Sequence, residues 1–384
     1  MDDAGPLYLD HAATSPVRRE VLEAMWPYLS SEFGNPSSHH AAGESAARAL
    51  DWARSTVAAV LGCRASEIVF TGGGTEANNL AIKGVALARP RGRHVVISAV
   101  EHPSVLESCA YLERFHGFEV ARLPVDSYGL VAPADFEAAL HEDTTLASVM
   151  YANNEIGTVQ PIAELAGIGR AVGVPFHSDA VQAAGWLPLD VDGLGVDALT
   201  LAGHKLGAPK GIGVLFCRAR IPLEPVLHGG GQERGRRSGT QDVAGAVGLA
   251  TALVLADDER KAGADALGRL RDEFIARILA GVQGSTLTGH PSLRLAGSAS
   301  FCFAGTSGEA VLLELERRGV LVSSGSACAA GSSDPSPVLL AIGVEPELAQ
   351  TAVRFTFGAQ IERAQLLAVA DAVEASVAAV RGIR

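Results

Sequence analysis

The chain has 384 residues, 48% of them hydrophobic and 19% charged, with a formal net charge of -12. That length and balance describe a well-cored globule with room for two domains, or for one large domain and a smaller partner. The acidic excess argues against a nucleic-acid groove as the main working surface, because neutralising phosphates takes surplus Lys and Arg; a local basic patch is expected around Arg234, Arg236 and Arg237.

In chain order, Ser15-Pro16 reads as an N-cap followed by proline at the first helical position, opening a short helix over Val17 to Leu29. Gly43 to Leu61 is a second helix, stopped by Gly62. Short apolar runs bounded by turns then recur at Glu67–Phe70, His94–Ser98, Leu146–Ala152, Val174–His177, Ala198–Leu201 and Gly211–Cys217. Helical patterns lie between several of them, notably Thr75 to Ala88 and Ile162 to Val172. The alternation predicts an α/β domain whose mostly parallel sheet is covered by helices on both faces. Past His228-Gly229-Gly230-Gly231 the character changes. Long helices are expected from Val243, then a strand over Leu295–Phe303, a helix over Glu309–Gly319, a strand over Val353–Phe357 and a last helix from about Ile361 to Val380. This second region reads as a smaller α+β domain, with the boundary near residue 250.

The start, Met1-Asp2-Asp3-Ala4-Gly5, has neither the basic end nor the apolar run of a signal peptide, and no uncharged apolar run approaches the roughly 20 residues of a membrane span. The cysteines, Cys63, Cys109, Cys217, Cys302 and Cys328, are odd in number and never spaced as CxxC. A reducing cytoplasm is the expected location, without a membrane partner and without direct nucleic-acid binding.

Four of those cysteines lie in ordinary surroundings, and Cys217 and Cys302 read as buried. Cys328 does not. It sits in Ser323-Ser324-Gly325-Ser326-Ala327-Cys328-Ala329-Ala330-Gly331-Ser332-Ser333, a small, polar, flexible segment that offers a thiol little to pack against. The segment is either a linker with an accidental cysteine or the carrier of a reactive one.

Several motifs follow predicted strands. Thr71-Gly72-Gly73-Gly74-Thr75-Glu76 is a glycine turn leading into a helix, suited to a phosphate or to a plain tight turn; it is neither a dinucleotide fingerprint nor a P-loop. His102 follows the predicted strand His94–Ser98 and Asn153-Asn154 the strand Leu146–Ala152, each readable as an ordinary loop residue. Asp179, in Ser178-Asp179-Ala180-Val181-Gln182, is a strand-end carboxylate or a helix N-cap. Lys205, in Ala202-Gly203-His204-Lys205, is a solvated loop lysine or a partly desolvated amine able to form a Schiff base. Separately each signal is weak. Together they place an anion site, an imidazole, an amide, a carboxylate and an amine at the carboxyl ends of successive strands in one sheet. That set matches the needs of pyridoxal phosphate.

On these residues the sequence resembles the cysteine desulfurases, in the iron–sulfur-cluster/nitrogen-fixation subgroup of the class V aminotransferase family, fold-type I pyridoxal phosphate enzymes. The likeness runs from Tyr8-Leu-Asp-His-Ala-Ala-Thr14 to Val353-Arg354-Phe355 and includes Phe33-Gly34-Asn35-Pro36, Glu101-His102, Asn153-Asn154-Glu155-Ile156-Gly157, Arg237-Ser238-Gly239-Thr240 and the Cys328 segment with Pro335-Ser336-Pro337 after it. It implies a large cofactor-binding domain over 15–250 and a small α+β domain formed by 1–14 and 251–384, which carries the Cys328 loop. It also implies that Lys205 holds the cofactor and moves the substrate's Cα proton, while Asp179 pairs with the ring nitrogen. Gln182, with Asn154 nearby, faces the ring oxygen, and His102 stacks on the ring as an acid/base. Gly74, Thr75 and His204 hold the phosphate, joined by Thr240 across a homodimer interface. Asn35, Asn154 and Arg354 bind the substrate carboxylate. Cys328 takes sulfur from L-cysteine, releasing L-alanine, and hands it to an acceptor protein for iron–sulfur assembly or nucleic-acid thiolation. No metal is implied. The alternatives of the same fold are a class V aminotransferase or a selenocysteine lyase, for which Cys328 is dispensable. One position departs from the family pattern: Ala202 stands where many relatives carry a hydroxyl for the phosphate.

Overall fold

Residues 5–88, 90–325 and 334–382 are described by the structure, a computed structural model. Strand β1 (Leu7–Tyr8) precedes helices α1 (Arg19–Ser30) and α2 (Ala41–Leu61). Alternation then sets in with β2 (Ile68–Thr71), α3 (Gly74–Ala88), β3 (His94–Ser98), α4 (Pro103–His116), β4 (Glu119–Leu123), α5 (Pro133–Ala139), β5 (Thr144–Ser148), α6 (Ile162–Ala171), β6 (Phe176–Asp179), α7 (Val191–Leu194), β7 (Ala198–Ala202) and β8 (Gly213–Cys217). The remainder comprises α8 (Val243–Gly281), β9 (Ser285–Leu287), β10 (Ser298–Phe303), α9 (Gly308–Arg317), β11 (Val320–Leu321), α10 (Pro337–Ala341), α11 (Pro346–Ala349), β12 (Ala352–Thr356) and α12 (Arg363–Gly382).

The main sheet has seven strands in the order β2-β8-β7-β6-β5-β3-β4. Only β8 runs against its neighbours, so the other six strands all end at one edge. Every residue of β2, β3, β5, β6, β7 and β8 is buried, as expected when helices cover both faces of a sheet. One face packs on α1, α2, α6 and the start of α8, through residues such as Leu50, Val57, Phe176 and Leu249. The other packs on α3 and α4, through Leu80, Ile82, Val105 and Leu112. The exposed first residue and part-buried middle of β4 mark it as the edge strand.

Local chemistry explains the helix limits. The His40 ring accepts the Gly43 N–H to cap α2, whose apolar stripe of Ala46, Leu50, Ala53, Val57 and Leu61 repeats at helical spacing. Gly62 ends it with φ 66°, the left-handed conformation glycine takes without a Cβ penalty. Two strands begin and end later or earlier than their apolar runs suggest. β5 starts at Thr144 because the hydroxyls of Thr144 and Thr145 are buried with partners, the His94 ring and the Gly92 carbonyl, while Val149 to Ala152 leave the ladder as a buried loop. β6 runs on through Asp179, which makes that carboxylate the last strand residue.

A second core gathers Phe274, Phe301, Phe303, Phe355 and Phe357 around the antiparallel sheet β12-β10-β9. Phe274 meets Phe355 and Phe357 edge to face, at centroid distances of 5.4 and 5.7 Å. The N-terminal strand β1 pairs with β11 next to this core, and Leu9 is buried in it. Helix α8 serves both cores. Its first turns pack under the main sheet, and Leu267, Phe274, Ile275 and Ile278 pack in the second core, so it passes residue 250 without a break.

Candidate active site

The edge where six strands end gathers most of the polar groups singled out above. After β2, Gly73 (φ 145°) turns the chain into α3, and Gly74 is pressed against its neighbours. A Cβ on Gly74 would stand 3.0 Å from Val181 Cγ2 and 3.2 Å from Ala202 Cβ, tight enough that those neighbours would have to give way, so glycine favours this close approach of the start of α3 to the ends of β6 and β7. The N–H groups of Gly74, Thr75 and Glu76 have no acceptor among the described residues, which leaves an anion-binding helix start with Thr75 exposed on it. The Glu76 carboxylate accepts the Gly72 N–H and takes Arg237 in a two-pronged pair, Nε to Oε1 at 2.7 Å and Nη2 to Oε2 at 3.2 Å. The Arg237-Ser238-Gly239-Thr240 segment is thereby tied to the glycine turn.

Asp179 closes β6, 4% exposed. Its Oδ1 accepts the Val181 N–H at 2.9 Å, so it caps its own turn, and its Oδ2 accepts from Asn78 Nδ2 of α3 at 2.6 Å. The same amide nitrogen donates to Ser104 Oγ at 2.9 Å, and that oxygen lies 2.8 Å from His102 Nδ1. His102 is the N-cap of α4, its Nδ1 accepting the Ser104 N–H at 3.1 Å. Burial lowers the His102 pKa; Asp179 opposes this and Lys205 adds to it. Glu101, fully buried beside it, is pushed up to about 8 by burial, although its Oε1 accepts from Ser98 Oγ and the Met150 N–H.

Lys205 ends a short 3₁₀ turn after β7. Its Nζ donates to the carbonyls of Ala12 and Ala13, the latter at 2.7 Å. Gln182 Nε2 donates to the same Ala12 carbonyl at 3.0 Å. His204 Nδ1 lies 3.2 Å from Thr14 Oγ1, and burial holds the ring at about 4, hence neutral. Arg354, on β12, is 1% exposed and pairs with Asp10 Oδ1 at 2.7 Å, while its Nη1 donates to the carbonyls of Asn154 and Gly325. The segment from Asp10 to Thr14 is therefore a hub that receives Arg354, Gln182, Lys205 and His204. The two neighbouring asparagines divide their work. Asn153 is buried and holds its own loop through Val100, Glu155 and Ile156, leaving Asn154 half-buried with its side chain available.

A cavity of about 360 Å³ opens on Lys205, Gln182 and Asn154 and is walled by Tyr8, His11 and Trp186; His102 and Asp179 do not line it. Asn35 and Thr240 are exposed and make no hydrogen bond to this group among the described residues; Asn35 Oδ1 caps its own turn through the Ser37 N–H. Cys328 lies outside the described residues. Burial pushes the thiols of Cys63, Cys109 and Cys217 up to about 12 and that of Cys302 to about 11, so none of these four is a ready nucleophile. Asp10, Asn78 and Ser104 carry the site's internal bonds without having been singled out from the sequence. The Tyr8–Thr14 motif was the one signal that pointed at Asp10.

Residues 7–369 match the model of the family described as aminotransferase class-V. The chain belongs to that family. Among class-V relatives, a protein named cysteine desulfurase IscS from Dictyoglomus turgidum is 46% identical over 98% of this chain and 96% of its own. An IscS-like cysteine desulfurase from Mycobacterium tuberculosis is 44% identical over 97% of each chain. Among solved structures, a NifS-like protein superposes with a TM-score of 0.90 at 34% identity, covering 97% of this chain and 99% of its own. A structure described as SspA in complex with cysteine superposes at 0.81 and 37% identity, over 91% of this chain and 98% of that one. The class-V fold is thus the α/β fold-type I architecture with its mostly parallel sheet, and its cofactor is pyridoxal 5'-phosphate.

The residues present fit that cofactor. A helix start whose first N–H groups have no acceptor among the described residues and a turn with little room for a Cβ form a phosphate cradle. At the end of β6 stands a buried carboxylate with fixed orientation, and after the adjacent β7 an amine held on backbone carbonyls. An aldehyde-bearing, phosphorylated pyridine asks for this donor set.

Proposed function

We propose that this chain is a cysteine desulfurase that converts L-cysteine to L-alanine and retains the sulfur as a persulfide on Cys328. The observation that carries the reading is the joining of Asp179, His102 and Lys205 at one strand edge in a chain whose sequence also bears a cysteine within a Ser/Gly/Ala-rich segment. Pyridoxal phosphate, when bound, supplies an electrophilic carbon for the substrate amine and a sink for the electrons of the bond broken next to it. Lys205 would hold it covalently and move the proton at the substrate Cα. Asp179 would keep a proton on the ring nitrogen, and Gln182 with Asn154 would hydrogen-bond the ring oxygen. Gly74, Thr75 and the neutral His204 would hold the phosphate through hydrogen bonds rather than charge. Arg354, Asn35 and Asn154 would orient the substrate carboxylate. Cys328 then accepts the sulfur, so that thiol plus cysteine balance persulfide plus alanine.

Incubating cofactor-loaded protein once with L-cysteine and no reductant tests this. Alanine matched by one added sulfur on Cys328, with both absent in Cys328→Ala, is the expected result. Alanine that survives Cys328→Ala would move the chain to the aminotransferases or lyases.

The chain is read as a homodimer in which Thr240 of each copy completes the other's phosphate site. In support, Leu22, Trp26 and Leu29 on α1 and Phe33 just after it expose a row of large apolar side chains, from 54% to 76% accessible. Trp26→Glu should therefore yield a monomer by analytical ultracentrifugation that loses cofactor on dilution. A cytoplasmic location is read from free thiols at Cys63, Cys109, Cys217 and Cys302. Among the described residues no helix is long and apolar enough to cross a membrane. The persulfide is read as serving an acceptor protein, for iron–sulfur assembly or for nucleic-acid thiolation. The assignment of 15–250 to a cofactor domain and of 1–14 with 251–384 to a smaller one belongs to the same reading.

A further inference from the structure

Two residues without an assigned role, Asn78 and Ser104, link the buried carboxylate to the imidazole, and donor chemistry fixes the direction of every bond in that link. A backbone N–H only donates. The Ser104 N–H therefore requires His102 Nδ1, 3.1 Å away, to be an unprotonated acceptor. Asn78 presents its amide nitrogen to the Asp179 carboxylate at 2.6 Å, since an oxygen there would face an acceptor. The second hydrogen of that nitrogen goes to Ser104 Oγ at 2.9 Å. With one lone pair so engaged, the Ser104 hydroxyl proton turns to His102 Nδ1 at 2.8 Å. An imidazole whose Nδ1 accepts two hydrogen bonds carries its proton on Nε2. Nε2 itself has no hydrogen-bond partner among the described residues.

We propose that Asn78 and Ser104 are positioning residues that lock His102 as the neutral tautomer with its proton on Nε2, so that His102 meets the substrate as a hydrogen-bond donor.

The helix reinforces the lock. His102 caps α4, and a proton on Nδ1 would both remove that cap and set a cation against the positive end of the helix dipole. The groups facing the ring act in both directions. Burial and the Lys205 amine, arriving from the end of β7, disfavour the imidazolium, while Asp179 on β6 favours it. Asn78 occupies one oxygen of that carboxylate and the Val181 N–H the other, which spends part of its charge on fixed donors. Glu101, the residue before His102, is turned away onto Ser98 and Met150, and burial pushes its carboxyl up to about 8. The buried Asn78 Oδ1 has no partner among the described residues, as befits an amide oriented by its two donor contacts.

What the His102 Nε2–H faces rests on the desulfurase reading; the tautomer does not, and the test separates the two. Full-length holoenzyme labelled with ¹⁵N in its histidine rings is examined by NMR, and the His102 signals are identified by their loss in His102→Gln. The expected result is a bare Nδ1 and a protonated Nε2 across neutral pH. In Ser104→Ala, which keeps the backbone N–H but loses the hydroxyl, the Nδ1 signal shifts and the ring titrates at higher pH, while Ser104→Thr, which keeps the hydroxyl, restores the wild-type signals. In Ser104→Ala, kcat/KM for L-cysteine falls about fivefold to tenfold, the worth of one hydrogen bond. A protonated Nδ1 in the unaltered protein overturns the inference, as does a Ser104→Ala protein with unchanged His102 signals and titration. Because the spectrum needs no turnover, a protein inactive on L-cysteine with the expected tautomer would sink the desulfurase reading and leave the lock standing.

Discussion

The carboxyl edge of the main sheet and the aromatic core around β10 and β12 are built on opposite principles. The edge is polar and linked: Asp179, Asn78, Ser104 and His102 form one hydrogen-bonded chain, and Lys205, Gln182, His204 and Arg354 all reach the segment from Asp10 to Thr14. The core is apolar and redundant, with five phenylalanines meeting mostly edge to face, and it delivers a single charged group, Arg354, to the edge. Bonds at the edge are individually necessary to chemistry and contribute little to stability. Contacts in the core are the reverse. A substitution should therefore damage one property and spare the other.

Lys205→Ala is the sharpest attempt to break that separation. Turnover of L-cysteine should fall by at least about 10³-fold, because among the described residues no other lysine lines the cavity, while the thermal midpoint of the cofactor-free protein stays close to wild type. Phe274→Ala should do the converse. Removing a ring that packs on Phe301, Phe355 and Phe357 should cost about 3–5 kcal/mol in denaturant titrations and leave the kcat of the folded fraction within a fewfold. A large loss of kcat in Phe274→Ala would mean that the core steers Arg354 directly.

Glu101 lies where the two principles meet, a carboxyl buried at the edge. Its folded pKa is raised from 4.5 to about 8 by burial, so its neutral form suits the fold at low pH and stability is lost as pH rises toward 8. Glu101→Gln, which keeps an oxygen for Ser98 and Met150, should match wild type near pH 4 and become progressively the more stable protein up to pH 8. Equal midpoints across that range would show that the carboxyl is relieved by another route. The smallest expected effect is at Ala202, whose Cβ faces the glycine turn. Ala202→Ser should tighten cofactor binding several-fold, about 1 kcal/mol for one neutral hydrogen bond, as read by cofactor release on dialysis.

Much of the edge was legible in the sequence because its residues follow apolar runs. His94–Ser98 was bounded to the residue, and Asp179, Lys205 and His102 are each found near the end of a strand. The linking residues were not. Asn78 sits mid-helix and Ser104 in a first helical turn, where an amide or hydroxyl is unremarkable until a third element brings Asp179 within 2.6 Å. Strand β4 was missed because an edge strand with Glu119 and Arg122 lacks the continuous apolar run that betrays its neighbours. The reversal of β8 followed from the short return after Lys205, which periodicity alone does not encode.

Helix α8 carries a mechanical consequence. At 39 residues it is a rod of roughly 58 Å at 1.5 Å per residue, rooted at one end beneath the sheet and at the other among the phenylalanines. Near its middle Glu259 grips Arg18, whose Nε holds the Leu206 carbonyl immediately after the site lysine. A load-bearing shaft shared by both halves leaves neither able to melt alone. Heating should give one calorimetric transition, and a proline set into the rod near Glu259 should split it into two.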